Sequence, residues 1–151
     1  MNRVTPTAPR ISAETVHGNS VTKDGRAILI TGPSGSGKSD LTLRLFDRGY
    51  GLISDDRTIL KRDGERIVAS APPTIAGKLE VRGLGIVELE HTDGVPVALV
   101  VELTSDIQRL PEDSRERLML GVGLPFVTID AMPASAPAKV DLAFERMGLK
   151  F

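Results

Sequence analysis

The sequence predicts an α/β protein built on a strand-rich, mixed sheet, and three observations predict it. A short aliphatic run, Arg26 to Thr31, leads into Gly32-Pro33-Ser34-Gly35-Ser36-Gly37-Lys38-Ser39, and an amphipathic segment follows. Three Asp-Gly pairs, Asp24-Gly25, Asp63-Gly64 and Asp93-Gly94, each separate two apolar stretches. Ser135-Ala136-Pro137 opens a last helical pattern that reaches Met147. The first observation gives strand, loop and helix in that order. The second gives hairpins, at places where an all-parallel sheet would need helical crossovers.

Taken along the chain, Ser20 to Thr22 and Ala27 to Ile30 form the first predicted hairpin, because Asp-Gly supplies the positive φ angles of a tight turn. Arg26 to Thr31 reads as a buried strand. After Ser39, apolar Leu41, Leu43, Leu45 and Phe46 are interleaved with Asp40, Thr42, Arg44, Asp47 and Arg48, and Gly49 supplies a stop, which predicts a helix. Gly51 to Ser54 reads as a strand. The second predicted hairpin joins Thr58 to Lys61 with Arg66 to Ala69, and the third joins Ile86 to Glu90 with Val95 to Val101. Pro111-Glu112-Asp113-Ser114 introduces a short helix over Arg115 to Leu120, and Phe126 to Ile129 is a further strand. The final helix begins at Ser135-Ala136-Pro137 and has Gly148 as its C-terminal signal.

At 151 residues and 40% hydrophobic, the chain suffices for one core and is too short for two ordinary domains. The expected organisation is a single domain over 1–151, with residues 1–10 a flexible lead-in. Charge is balanced, 19 basic against 20 acidic residues with no basic cluster, so a nucleic-acid partner is not expected. No run approaches membrane length, and Met1 to Arg10 lacks the apolar stretch of a signal peptide, so the expected location is the cytoplasm. The absence of cysteine excludes disulfides, thiolate metal sites and cysteine catalysis.

Gly32 to Ser39 satisfies the Gly-x-x-x-x-Gly-Lys-Ser pattern in the right strand and helix context. Glycines there let successive N–H groups and the helix N-terminus face phosphate oxygens, Lys38 brings positive charge to the terminal phosphates, and Ser39 ligates magnesium. Three further groups stand near it in sequence: His17-Gly18, Asp55-Asp56 after the Gly51 to Ser54 strand, and Glu80 at the head of Glu80-Val81-Arg82-Gly83-Leu84-Gly85. Singly, each also reads as ordinary structure: a turn histidine, a turn or helix-capping aspartate pair, a surface charge.

Together, His17-Gly18, the loop through Ser39, Arg48 to Asp56 and Glu80 to Ile86 resemble the catalytic domain of bacterial HPr kinase/phosphorylase in order, residue type and spacing from about residue 11 to residue 90. The resemblance implies a P-loop fold of the phosphoenolpyruvate-carboxykinase type. It also implies ATP-dependent phosphorylation of a seryl hydroxyl on HPr, the small carrier of the phosphotransferase system, and removal of that phosphate with inorganic phosphate to give pyrophosphate. Carried over residue by residue, it implies that Lys38 and the loop amides hold the β- and γ-phosphates and that Ser39 with Glu80 binds magnesium or manganese. Asp56 becomes the proton-transfer aspartate, Asp55 a support for the metal or for its neighbour, and His17 an active-site histidine that polarises or balances charge. Arg109 lies in the region of the family's catalytic arginine, although Gln108-Arg109-Leu110 departs from the usual Asp-Arg-Leu. The family's Pro-Gly-Arg-Asn segment, tied to dephosphorylation, has no counterpart, which puts the phosphorylase direction in doubt. Lys139 is the candidate replacement charge, and a helix-surface lysine is its plainer reading.

With only 16 residues before His17, the chain is similar to the short α-proteobacterial form, in which the catalytic domain stands without the N-terminal domain of longer members. The implied partner is an HPr-like carrier, and the implied assembly a hexamer. Two other functions fit a phosphate loop. A P-loop kinase of a small metabolite would usually carry an arginine-rich helical lid, and here Arg115 and Arg117 sit in a very short predicted helix. A non-catalytic ATP sensor would have no need of Asp56.

Overall fold

A computed structural model describes residues 12–106 and 116–151. Eleven strands and two helices follow one another as β1 (Ala13–His17), β2 (Asn19–Lys23), β3 (Arg26–Thr31), α1 (Lys38–Phe46), β4 (Gly51–Ser54), β5 (Arg57–Asp63), β6 (Arg66–Ser70), β7 (Lys78–Val81), β8 (Gly85–Glu88), β9 (Val95–Leu103), β10 (Glu116–Met119), β11 (Val122–Ile129) and α2 (Ala136–Met147). A 3₁₀ turn, Pro73–Ile75, precedes β7.

The main sheet runs β1-β5-β6-β9-β3-β2-β4, with the β10-β11 hairpin joined to β9 through β11. It is mixed, as the hairpin signals require: β9 is parallel to β3 and to β11, and the other ladders are antiparallel. β9 holds it together. One of its edges is taken by β3; the other is shared by β6, at Val95 and Pro96, and by β11, from Val100 to Leu103.

β3 is buried on both faces, which is why its sequence is a continuous apolar run without polar alternation. Ile28 and Ile30 face a core closed by α1 and α2 through Leu41, Leu45, Val140 and Phe144. Ala27 and Leu29 face a second core with Ile53, Leu60, Ile67 and Met119. The register of β9 against β3 slips between Ala27 and Ile28, where Val97 and then Leu99 are the partners. Ala98 is the extra residue, and its carbonyl accepts the backbone N–H of Leu149 at 3.0 Å, which ties the end of the chain to this bulge.

The first hairpin forms as predicted. Lys23 pairs with Arg26 around Asp24-Gly25, both at positive φ (55° and 74°). In the second, Asp63 is the last residue of β5 and pairs with Arg66, so the turn is Gly64-Glu65, one residue later than its Asp-Gly signal. The third predicted hairpin does not form. β8 pairs with β7 across Arg82 to Leu84, and β9 joins other strands. Asp93-Gly94 serves a different junction: the Asp93 carboxylate accepts the Ala71 N–H at 2.8 Å, and Gly94 N–H reaches the Ala69 carbonyl at 3.0 Å.

The predicted helix over Arg115 to Leu120 is also corrected. Residue 115 lies outside the described residues, and Glu116–Met119 is strand β10, turned into β11 by Leu120 and Gly121 at φ 49° and 82°. The final helix matches its signals, ending at Gly148 in an extended conformation. Among the described residues, no helix is long and apolar enough to cross a membrane.

Candidate active site

The loop between β3 and α1 is built by glycine geometry. A Cβ on Gly32 would stand 2.7 Å from Ser36 Oγ and 3.1 Å from the Leu103 carbonyl, so the chain passes here only without a side chain. Gly37, at φ 97°, is the N-cap of α1 and provides no side-chain acceptor for its first N–H groups. Those donors are the electropositive end of the helix. Lys38 Nζ donates to the carbonyls of Gly32 (2.7 Å) and Pro33 (3.1 Å), closing the loop on itself. Ser36 Oγ is buried and has no hydrogen-bond partner.

The loop borders an open cleft of about 1120 Å³, lined on the loop side by Ser34, Gly35, Gly37, Lys38 and Ser39. Facing them are Asp55, Asp56 and Glu80, with Arg82 and Gly83 from the turn joining β7 to β8 and Gly85 at the start of β8. The structure therefore brings together the phosphate loop, both aspartates and Glu80. The two aspartates have opposite environments. Asp55 is buried: its Oδ1 accepts from Ser39 Oγ at 2.7 Å and from Asn19 Nδ2 at 2.8 Å, and its Oδ2 accepts the backbone N–H of Glu80 at 3.0 Å. Asp56 is exposed, with the Arg57 guanidinium 3.9 Å from its carboxylate.

A tight turn makes that difference. The Arg57 N–H bonds to the Asp55 carbonyl at 2.7 Å across Asp56, which sits at φ 66°. This is a γ-turn of the rare, strained hand, costing on the order of 1–3 kcal/mol. Both backbone polar groups of Asp56 are held from the start of β2: its carbonyl accepts from Gly18 N–H at 2.9 Å and its N–H donates to Asn19 Oδ1 at 2.9 Å. Gly18 must be glycine, since a Cβ there would meet the Ile30 carbonyl at 2.8 Å.

His17 does not line the cleft. It is exposed at the end of β1, opposite Arg57 in the β1-β5 ladder and so one residue from Asp56 in register. Arg109 lies outside the described residues. Lys139 is on the exposed side of α2 and is not among the residues of the cleft. Two residues unremarked in the sequence belong to the site. Asn19 is fully buried and bonds to Asp55, Thr42 and the Asp56 backbone. Arg44 donates to the carbonyls of Ala131 (2.5 Å) and Pro133 (3.4 Å), clamping the segment after β11 against α1, where Ala131 packs beside Gly37. A signal for Asn19 existed: an amide in a strand-forming run, where Asn is disfavoured, directly after His17-Gly18.

Among the described residues no three His, Cys, Asp or Glu groups converge as a ready metal cage. Ser39 backed by Asp55, with Glu80 beside them, instead suits a small hard cation that keeps most of its water and takes one or two protein oxygens. Ser39 Oγ has its proton committed to Asp55, which leaves its lone pairs for such an ion.

The family described as HPr Serine kinase C-terminal domain matches residues 10–145. The chain belongs to this family. The HPr kinase/phosphorylase of Chlorobaculum tepidum is 38% identical over 131 residues, covering 78% of this chain and 38% of that protein. That of Chlorobium luteolum is 34% identical over 149 residues, 89% of this chain and 44% of that protein. The chain thus spans less than half the length of these relatives. A solved structure, the Hpr(Ser) kinase/phosphatase from Coxiella burnetii, matches with a TM-score of 0.77 at 27% identity, over 87% of this chain and 88% of that one. The strand-rich α/β fold with its phosphate loop is therefore the HPr kinase catalytic fold.

Proposed function

We propose that this protein is an ATP- and magnesium-dependent protein serine kinase acting on a seryl hydroxyl of an HPr-like phosphocarrier. One observation carries the reading: in a chain of this family, an exposed aspartate held in a strained turn faces the same cleft as a complete phosphate loop, 2.7 Å hydrogen bonding linking that loop to the neighbouring buried aspartate. Lys38 and the N–H groups of Gly35 to Ser39 hold and neutralise the terminal phosphates of the nucleotide. Ser39 and Glu80 would hold the metal, with Asp55 orienting Ser39; bound there, a divalent cation would supply charge neutralisation to the phosphates. Asp56 accepts the seryl proton as the hydroxyl oxygen bonds to the γ-phosphorus, and the bond to the β-phosphate oxygen breaks to leave ADP. His17 and Arg109 are auxiliary charges in this reading. Manganese serves in place of magnesium, the work is cytoplasmic, and the protein acts as a homo-oligomer, a hexamer by its family.

The test is incubation with labelled ATP, magnesium and the HPr-like carrier, followed by mass-spectrometric location of the phosphate. Phosphoserine on the carrier is expected, and none is expected from Lys38→Ala, since no other lysine stands in the loop. Label on a small metabolite, or wild-type turnover by Lys38→Ala, would contradict the reading.

A further inference from the structure

Resting on that phosphoryl-transfer reading, we propose that Asn19 is a positioning residue that sets both aspartates of the site at once, its amide nitrogen fixing the Asp55 side chain and its amide oxygen fixing the Asp56 backbone. Asn19 opens β2 with no exposed surface, where a β-branched residue would pack better and a buried amide is tolerated only if it is bonded. It is bonded throughout. Nδ2 lies 2.8 Å from Asp55 Oδ1, 3.1 Å from Thr42 Oγ1 and 3.3 Å from Ser39 Oγ, and Oδ1 accepts the Asp56 N–H at 2.9 Å. With two hydrogens for three acceptors, the Asp55 and Thr42 bonds take the protons and the Ser39 contact is the weak one. The network admits a single amide orientation. Asp56 N–H can only donate and must meet the oxygen, while the Asp55 carboxylate must meet the nitrogen.

Each of these partners belongs to the site. Ser39 is its metal-side hydroxyl, and Thr42 donates to the Lys38 carbonyl at 2.9 Å, fixing the first turn of α1. Asp56 occupies a backbone conformation that an L-residue leaves readily, and its N–H is held there by Asn19 alone. Removing the amide frees the turn to relax, so the carboxylate that accepts the seryl proton drifts from its place. A shift of that kind slows the chemical step while leaving nucleotide contacts in place. Asn19 itself does not enter the cleft chemistry; it acts through its two neighbours.

The experiment is a mutant cycle with a structural readout. In Asn19→Ala, kcat for carrier phosphorylation should fall about 10- to 100-fold with the KM for ATP within about threefold, the split expected when only the transition-state arrangement is lost. Asn19→Ala combined with Asp56→Asn should be no more than about threefold slower than Asp56→Asn alone, because both changes disable the same group. By NMR, the Asp56 amide should be protected from exchange with D₂O in the wild type and unprotected in Asn19→Ala. Should Asn19→Ala not fold, the swapped pair Asn19→Asp with Asp55→Asn keeps an acceptor for the Asp56 N–H and a donor facing an acceptor between positions 19 and 55, so its Asp56 amide should stay protected. A kcat within threefold of wild type in Asn19→Ala, losses that multiply in the double variant, or an Asp56 amide indifferent to Asn19→Ala or exposed in the swapped pair would each overturn the proposal. A wild-type protein inert toward the carrier would sink only the kinase reading, since amide exchange still reads the positional claim.

Discussion

At the scale of single residues, Asp55 and Asp56 show how adjacent identical side chains acquire different tasks. Burial, a hydroxyl and two N–H donors commit Asp55 to holding Ser39 and the backbone of Glu80, whereas the turn leaves the Asp56 carboxylate exposed at the cleft. This division predicts graded metal effects. Glu80→Gln and Ser39→Ala should each raise the magnesium concentration for half-maximal rate by about tenfold or more, the scale found when groups around a metal are removed. An unchanged magnesium titration would take that side chain out of the metal site. The phosphate loop was legible in the sequence because its residues are contiguous and its geometry is local. Asn19 showed only as an amide in a strand-forming run, because its partners lie 23, 36 and 37 positions away and only the fold brings them within 3.1 Å.

Among the elements, α2 packs on the sheet through Val140 and Phe144, and the Asp141 carboxylate adds polar ties. Asp141 accepts the Tyr50 hydroxyl at 2.8 Å and lies 3.4 Å from Lys23 and 3.5 Å from Arg48, while Tyr50 packs against Phe144 with ring centroids 5.6 Å apart. Partial burial alone would raise the Asp141 carboxyl. The hydrogen bond from Tyr50 and the charges of Lys23 and Arg48 outweigh it and hold the group below its ordinary 3.8. Burial and the Asp141 bond push the Tyr50 hydroxyl far up, so it stays a donor at every working pH. A carboxyl depressed in the folded state stabilises above its unfolded value, and that contribution is lost as pH falls through the folded value. Asp141→Asn should therefore lower Tm at pH 7, by roughly 2–4 °C for each kcal/mol lost. The gap between variant and wild type should shrink below about pH 4. Melts at pH 7 and pH 3 decide this, and a gap independent of pH would contradict it.

Turns and strands divide by the same logic. Asp24-Gly25 was readable because both residues tolerate positive φ, whereas the Leu120-Gly121 turn was missed because leucine at φ 49° carries no such signal. Asp93-Gly94 misled because its side chain and N–H serve β6 instead of closing a hairpin. Ile86, 68% exposed, shows that the Ile86 to Glu90 stretch lies at the surface and not in the sheet core.

For the whole molecule, the strand order could not be read from the sequence, since β9 joins strands from both ends of the chain and pairing over such distances leaves no local trace. Family membership was legible, because four separated motifs survive in order, and the fold followed from it. The direction of the reaction is a property of the whole site. With the phosphate loop, both aspartates and Glu80 lining one cleft and no Pro-Gly-Arg-Asn segment in the sequence, transfer from ATP should outpace phosphorolysis. Serine-phosphorylated carrier with excess inorganic phosphate should release pyrophosphate several-fold more slowly than ATP phosphorylates the carrier, and equal rates would contradict this ordering.

In the proposed mechanism the phosphate loop binds nucleotide while Asp56 takes the seryl proton, and Asp56→Asn separates the two when calorimetric ATP–magnesium affinity is compared with single-turnover phosphorylation of the carrier. Affinity should stay within about threefold of wild type, and transfer should be slower by roughly a hundredfold or more, the range for losing a general base. Transfer at the wild-type rate, or loss of nucleotide binding in step with activity, would contradict it.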